Sequence, residues 1–148
     1  MTKLFFILCL SFASMAQARL AGEWTGWGNW TFKGEPPGTD CPTMQMKWSE
    51  SADRVSVDGG LFDCGVVAMH LGETAWKISN GHLFDETGKN VGTYDGANLS
   101  VYMPSPNEKT TIQIIVKREA NHIDYQEVWF NQFEKVYVIT GRLFTSGE

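Results

Sequence analysis

The sequence predicts an all-β protein, a single antiparallel up-and-down β-barrel of about 8–10 strands. Short apolar or alternating runs recur along the chain. Turn signals separate them, among them Asp58-Gly59-Gly60, Asn80-Gly81, Thr87-Gly88-Lys89 and Asp95-Gly96, residues that supply positive φ or fix a tight turn. No segment sustains the i, i+3, i+4, i+7 spacing of an amphipathic helix. A meander of this many strands must close or split to remove its edges.

Residues 1–18, MTKLFFILCLSFASMAQA, have the parts of an export signal: Lys3, the apolar run Leu4 to Phe12, and the small-x-small site Ala16-Gln17-Ala18. The apolar run is far short of the roughly 20 residues that a membrane span needs. Cleavage after Ala18 would leave 19–148 as one domain, exported to a periplasm or out of the cell. Cys9 would leave with the signal. The remaining pair, Cys41 and Cys64, reads as one disulfide in an oxidising compartment, or else as two free thiols. There is no C-x-x-C, so neither a redox dithiol nor a zinc knuckle is indicated. The formal net charge is −5, and the densest basic cluster is Lys117-Arg118. Nucleic acid and anionic membrane surfaces are therefore not expected partners. Nothing in the sequence signals an oligomeric state.

The candidate strands are 22–33, 43–50, 53–58, 61–69, 74–79, 82–85, 90–94, 98–103, 109–118, 121–131 and 134–144. The first contains GEWTGWGNW, in which tryptophan recurs every third residue. Side chains alternate along a strand, so Trp24, Gly26, Gly28, Trp30 and Phe32 share one face, while Trp27 falls among Glu23, Thr25, Asn29 and Thr31 on the other. The aromatic face is expected to point inward. Its glycines would let the strand bend and leave space between two indoles. In the second run Met44, Met46 and Trp48 share a face, an adaptable apolar lining. The β-branched runs Thr110 to Val116 and Val136 to Thr140 suit a pleated surface. Ile123, Tyr125, Glu127 and Trp129 share a face; if it points in, Glu127 is buried and needs a partner such as Arg118 or Arg142.

Gly22-x-Trp24 at the head of such a meander resembles the calycin superfamily, which includes lipocalins, fatty-acid-binding proteins and nitrobindin-like barrels. The resemblance implies that Trp24 plugs the closed end and that a basic residue of the last strand packs across it. The matching position is Arg142, in Thr140-Gly141-Arg142-Leu143-Phe144. The chain departs from the pattern in having no clear second or third lipocalin motif, no helix after Arg142, and no helical lid in 34–42.

The expected function is non-catalytic binding of a small hydrophobic or amphipathic ligand, with Trp24, Trp30, Phe32, Met44, Met46 and Trp48 lining the interior. An inward, unpaired Arg118 or Arg142 would suit an anionic amphiphile. No G-x-S-x-G, P-loop or H-E-x-x-H motif is present, and His70 and His82 form no metal set. Two alternatives stand beside this reading. One is a haem-binding or enzymatic barrel using His122, whose simpler reading is a surface strand end and no metal ligand. The other is a filled barrel that meets a protein partner through exposed aromatics, Trp27 and Trp129. No cofactor is expected outside the haem alternative.

Overall fold

The computed structural model describes residues 19–105, 109–132 and 134–145. The export signal expected over 1–18 lies outside them. Alternating buried and exposed side chains carry the chain through eleven strands: β1 (Gly22–Phe32), β2 (Thr39–Glu50), β3 (Arg54–Asp63), β4 (Ala68–Leu71), β5 (Thr74–Ser79), β6 (His82–Phe84), β7 (Asn90–Tyr94), β8 (Asn98–Pro104), β9 (Thr111–Arg118), β10 (His122–Asn131) and β11 (Glu134–Thr145). No helix occurs among the described residues.

The strands form one antiparallel sheet, and β1 pairs with β11 to close it into a ring. Sequence neighbours pair throughout, except where β3 meets both β5 and β4 on one edge. Arg54 to Val57 lie against β5, and Gly60 to Asp63 lie against β4. Full closure leaves no long free edge for another chain to pair with. The β5–β6 connection is a tight turn. Asn80 and Gly81 both take positive φ, 51° and 75°, as the two-residue turn between β5 and β6 requires.

Two departures from the expected strand limits have local causes. Asp58-Gly59-Gly60, expected to be a turn, lies inside β3. Lys47 pairs with Gly59 and Trp48 with Val57, which makes Asp58 the extra residue of a bulge. The turn comes later, at Cys64 to Val67, where the Cys64 amide donates to the Val67 carbonyl at 2.8 Å. The expected run 61–69 is therefore the end of β3 and the start of β4. Strand β2 also begins early, at Thr39. Between the pairs Gly26–Met44 and Gly28–Cys41 it sets Pro42 and Thr43 opposite Trp27 alone. Proline has no N–H to give a ladder, and a bulge is where it fits.

The inward row of β1 reads Trp24, Gly26, Gly28, Trp30, as alternation predicts, and Trp27 faces out, 58% exposed. A Cβ on Gly26 would lie 2.0 Å from the Arg142 carbonyl oxygen. On Gly28 it would lie 2.1 Å from the Thr140 oxygen and 2.3 Å from the Met44 sulfur. Only glycine lets β1 approach β11 this closely. The space left by Gly28 and Gly141, which are directly paired, is occupied by the fully buried Met44. The gap expected between the two indoles is thus filled by a neighbouring strand.

The disulfide joins Cys41 of β2 to Cys64 beyond β3. It closes a loop with a sequence separation of 23. In a chain-entropy account such a loop stabilises the fold by about 3 kcal/mol.

Gly28→Ala should cost about 2 kcal/mol or more in urea unfolding, because backbone must move to admit the methyl. Gly72→Ala, where an added Cβ would meet nothing within 4 Å beyond the adjoining residues, should stay within about 0.5 kcal/mol of the parent. Replacing both Cys41 and Cys64 by Ala should lower unfolding stability by about 3 kcal/mol with the strand content of the circular dichroism spectrum retained.

Candidate functional site

The ring is packed to different depths at its two ends. At the end where β1 begins, Leu20, Trp24, Trp48, Leu99 and Leu143 are all buried to within a few per cent. The Trp24 indole donates to the Leu20 carbonyl at 2.8 Å. A guanidinium does pack across Trp24, but it is that of Arg118, 4.3 Å from the ring centroid. Arg118 follows Ile112, Ile114 and Val116 along the inward face of β9. Arg142 is paired with Trp27, the outward residue, and so it points to solvent. There it makes a bidentate ion pair with Asp124, with Nε to Oδ1 at 2.7 Å. Hydrogen bonding from Arg142, ahead of any charge effect, holds the Asp124 carboxyl below the usual carboxylate range. The expected packing of Arg142 across Trp24 is therefore not what is found; Arg118 occupies that place.

Toward the other end the interior is not filled. A cavity of about 290 Å³ lies among β2, β3, β4, β5, β8, β9 and β10. Three thioethers, Met46, Met69 and Met103, come from different strands, and Ile112, Ile114 and Trp76 add apolar wall. His70, Leu71, Gly72 and Thr74 border it where β4 gives way to β5. The volume sits just under the roughly 300–1,000 Å³ of sites for drug-sized ligands, so it suits a smaller molecule.

One charged side chain reaches this lining from deep burial. Glu127 is 5% exposed. Its neighbours on the inward face of β10 both hydrogen-bond to it. The Tyr125 hydroxyl donates to Oε2 and the Trp129 indole N–H donates to Oε1. Burial, then the charge on Glu127, pushes the Tyr125 hydroxyl well above its ordinary pKa. Trp129 stacks on Tyr137 of β11 at 5.0 Å between centroids. The partners of Glu127 are therefore neutral donors two residues away on either side, and not the arginines that the sequence suggested.

Comparison with protein-family models, with curated proteins and with solved structures finds no match to this chain.

Of the six residues expected to line a ligand site, Met46 alone borders this cavity. Trp24 and Trp48 belong to the packed end, and Met44 fills the glycine gap. Trp30 is partly buried against the core. Phe32, at the end of β1, is 57% exposed, because the strand runs past the packed interior. Trp129, an exposed aromatic only in the protein-interaction alternative, is turned inward with Tyr125 and Glu127. The inward phase of β9 and β10 carries Ile112, Ile114, Tyr125, Glu127 and Trp129, which the six-residue set missed. The signal that could have found it was the alternation Ile123, Tyr125, Glu127, Trp129.

A second concavity, about 580 Å³, lies on the outer face over β1, β11, β10 and β9, bordered by Trp27, Asn29, Lys117, Gln126 and Thr140. It is larger but shallow and open. Trp27 stacks there on Phe144 at 5.4 Å, and Phe144 in turn meets His122 at 5.7 Å. His122 is thus an outer-face residue, 3.6 Å from Asp124, and does not reach the interior cavity. Among the described residues no group of three or more His, Cys, Asp or Glu could hold a metal ion.

The exchange of arginine roles is testable by urea unfolding. Arg118→Ala should cost about 2 kcal/mol through loss of the cation–π contact and of the stem packed on the indole. Arg142→Ala should leave the unfolding midpoint close to the parent's. The reverse ranking would overturn the stabilising role given to the Arg118–Trp24 contact.

Proposed function

We propose that this chain is an exported, calycin-like β-barrel that holds one small apolar or amphipathic molecule in its interior and performs no covalent chemistry. The observation that carries the reading is the cavity of about 290 Å³ at one end of an otherwise packed ring. A core assembled only for stability fills such space, because each void forfeits dispersion contacts. Here the surrounding side chains include three thioethers, which adapt to a guest. The disulfide is compatible with an oxidising, exported setting. Among the described residues no helix is long and apolar enough to cross a membrane.

The closed end under Arg118 and Trp24 gives the ring a floor, and the break between β4 and β5 gives it a mouth. A guest entering by His70 and Gly72 would pass Met69 and meet Glu127. Fold alone assigns no ligand, so the reading rests on the cavity and its chemistry.

The neutral fluorophore N-phenyl-1-naphthylamine should bind with enhanced emission and be displaced by apolar molecules of similar size. Met103→Trp, which puts an indole into the cavity, should weaken that binding by about tenfold or more while the thermal unfolding midpoint is kept. Binding that survives this substitution unchanged would place the fluorophore elsewhere and overturn the reading.

A further inference from the structure

Glu127 is the feature that ligand binding in general does not account for. Its carboxylate lies in an apolar lining, 5% exposed. A carboxylate offers about four acceptor positions on its two oxygens, and the protein uses one on each. The donors, a phenol and an indole, are neutral. Among the described residues no lysine, arginine or histidine forms an ion pair with Glu127; Arg19, Lys47, His122 and Arg142 meet Glu50, Glu23 and Asp124 instead. Burying a carboxylate without a counter-charge is costly. The inward arginine of β9 does not relieve it. Ile114 stands opposite Glu127, whereas Arg118 stands opposite Ile123. Four residues separate those positions on β9, roughly 13 Å along a strand.

We infer that the interior cavity takes a hydrophobic ammonium, a single cationic nitrogen on a small apolar body, with Glu127 as its counter-charge. This rests on the ligand-binding reading above and names the chemical class of the guest. The ammonium donates to the acceptor positions of Glu127 that Tyr125 and Trp129 leave open. Trp76, Tyr125 and Trp129 line the same cavity, an aromatic surrounding of the kind that receives organic cations. Met46, Met69 and Met103 receive the apolar body. The net charge of −5 favours approach of a cation over that of an anion. An anionic amphiphile would suit the inward Arg118, but that arginine is not among the cavity's lining residues, and in the cavity an anion meets Glu127 and is repelled. Arg118 is withdrawn to the Trp24 end, and Arg142 is outside.

The test compares three probes of one shape by calorimetry at neutral pH: 2-phenylethylamine, 2-phenylethanol and phenylacetate. The expected order is amine tightest, by about tenfold or more over the alcohol, with the carboxylate weakest. Glu127→Gln, which keeps an acceptor for the Tyr125 or Trp129 donor, should abolish the preference, so that amine and alcohol bind this variant within about twofold of each other. Retained alcohol binding shows that the variant is folded. If the variant does not fold, the ranking in the parent protein decides. Equal or tighter binding of the alcohol in the parent protein overturns the inference and leaves the cavity reading standing. Amine preference that survives Glu127→Gln also overturns it, since the charge would then be recognised elsewhere. Failure of all three probes to bind, together with failure of the neutral fluorophore, removes both readings.

Discussion

The close approach of β1 to β11 is the constraint on which the rest of the molecule depends. Backbone oxygens of Arg142 and Thr140 occupy the places where side chains at 26 and 28 would begin. With glycine at those positions the first strand can close against the last, and Met44 can seat its sulfur against paired Gly28 and Gly141. That contact fixes the register. Trp24 then faces Thr145 on one side and Met46 on the other, at the end that Arg118 covers. Once this end is solid, any space in the interior has to lie above it.

The two charges that reach the interior are held apart and handled differently. Arg118 is spread over an aromatic ring, and its Nε and one terminal nitrogen have no hydrogen-bond partner among the described residues. A guanidinium tolerates this better than an ammonium, because it is weakly hydrated and stacks well. Glu127 keeps two neutral donors and open acceptor positions beside the cavity. On the outer face charges behave ordinarily, as the exposed Arg142–Asp124 and Lys47–Glu23 pairs show. The outer tryptophan, Trp27, is supported by Phe144 and not by any group of the interior.

Much of the architecture was legible in the residues, because the physical signal was local. Period-two alternation placed Trp24 and Trp30 inward and Trp27 outward, and Asn80-Gly81 marked its hairpin. The misreadings came where pairing partners decide. Asp58-Gly59-Gly60 has turn chemistry, yet opposite Lys47 and Trp48 it becomes a bulge, which no single strand reveals. Arg118 and Arg142 are both basic residues late in strands, and one residue of phase determines which of them enters the ring. The phase of β9 was readable from Ile112, Ile114 and Val116. Arg142 drew the assignment through resemblance, although its neighbour Leu143 is the inward one. The cavity was the least legible feature, because it depends on side chains from seven strands meeting in space. Met44 and Met46, two residues apart on one face, illustrate this: one fills a void and the other borders one.

The topology also bears on the order in which the structure can assemble. Every pairing but one joins strands that are near in sequence, so most of the sheet can zip up from hairpins. The exception joins Trp24 to Thr145. Its closure entropy has to be met before the seam returns any contact energy. A chain lacking that last pairing would be an open sheet with two long edges, β1 and β11, carrying unpaired N–H and C=O groups. Glycines that serve intimate packing in the finished ring therefore also mark the place where an unfinished one is most exposed to association with another copy.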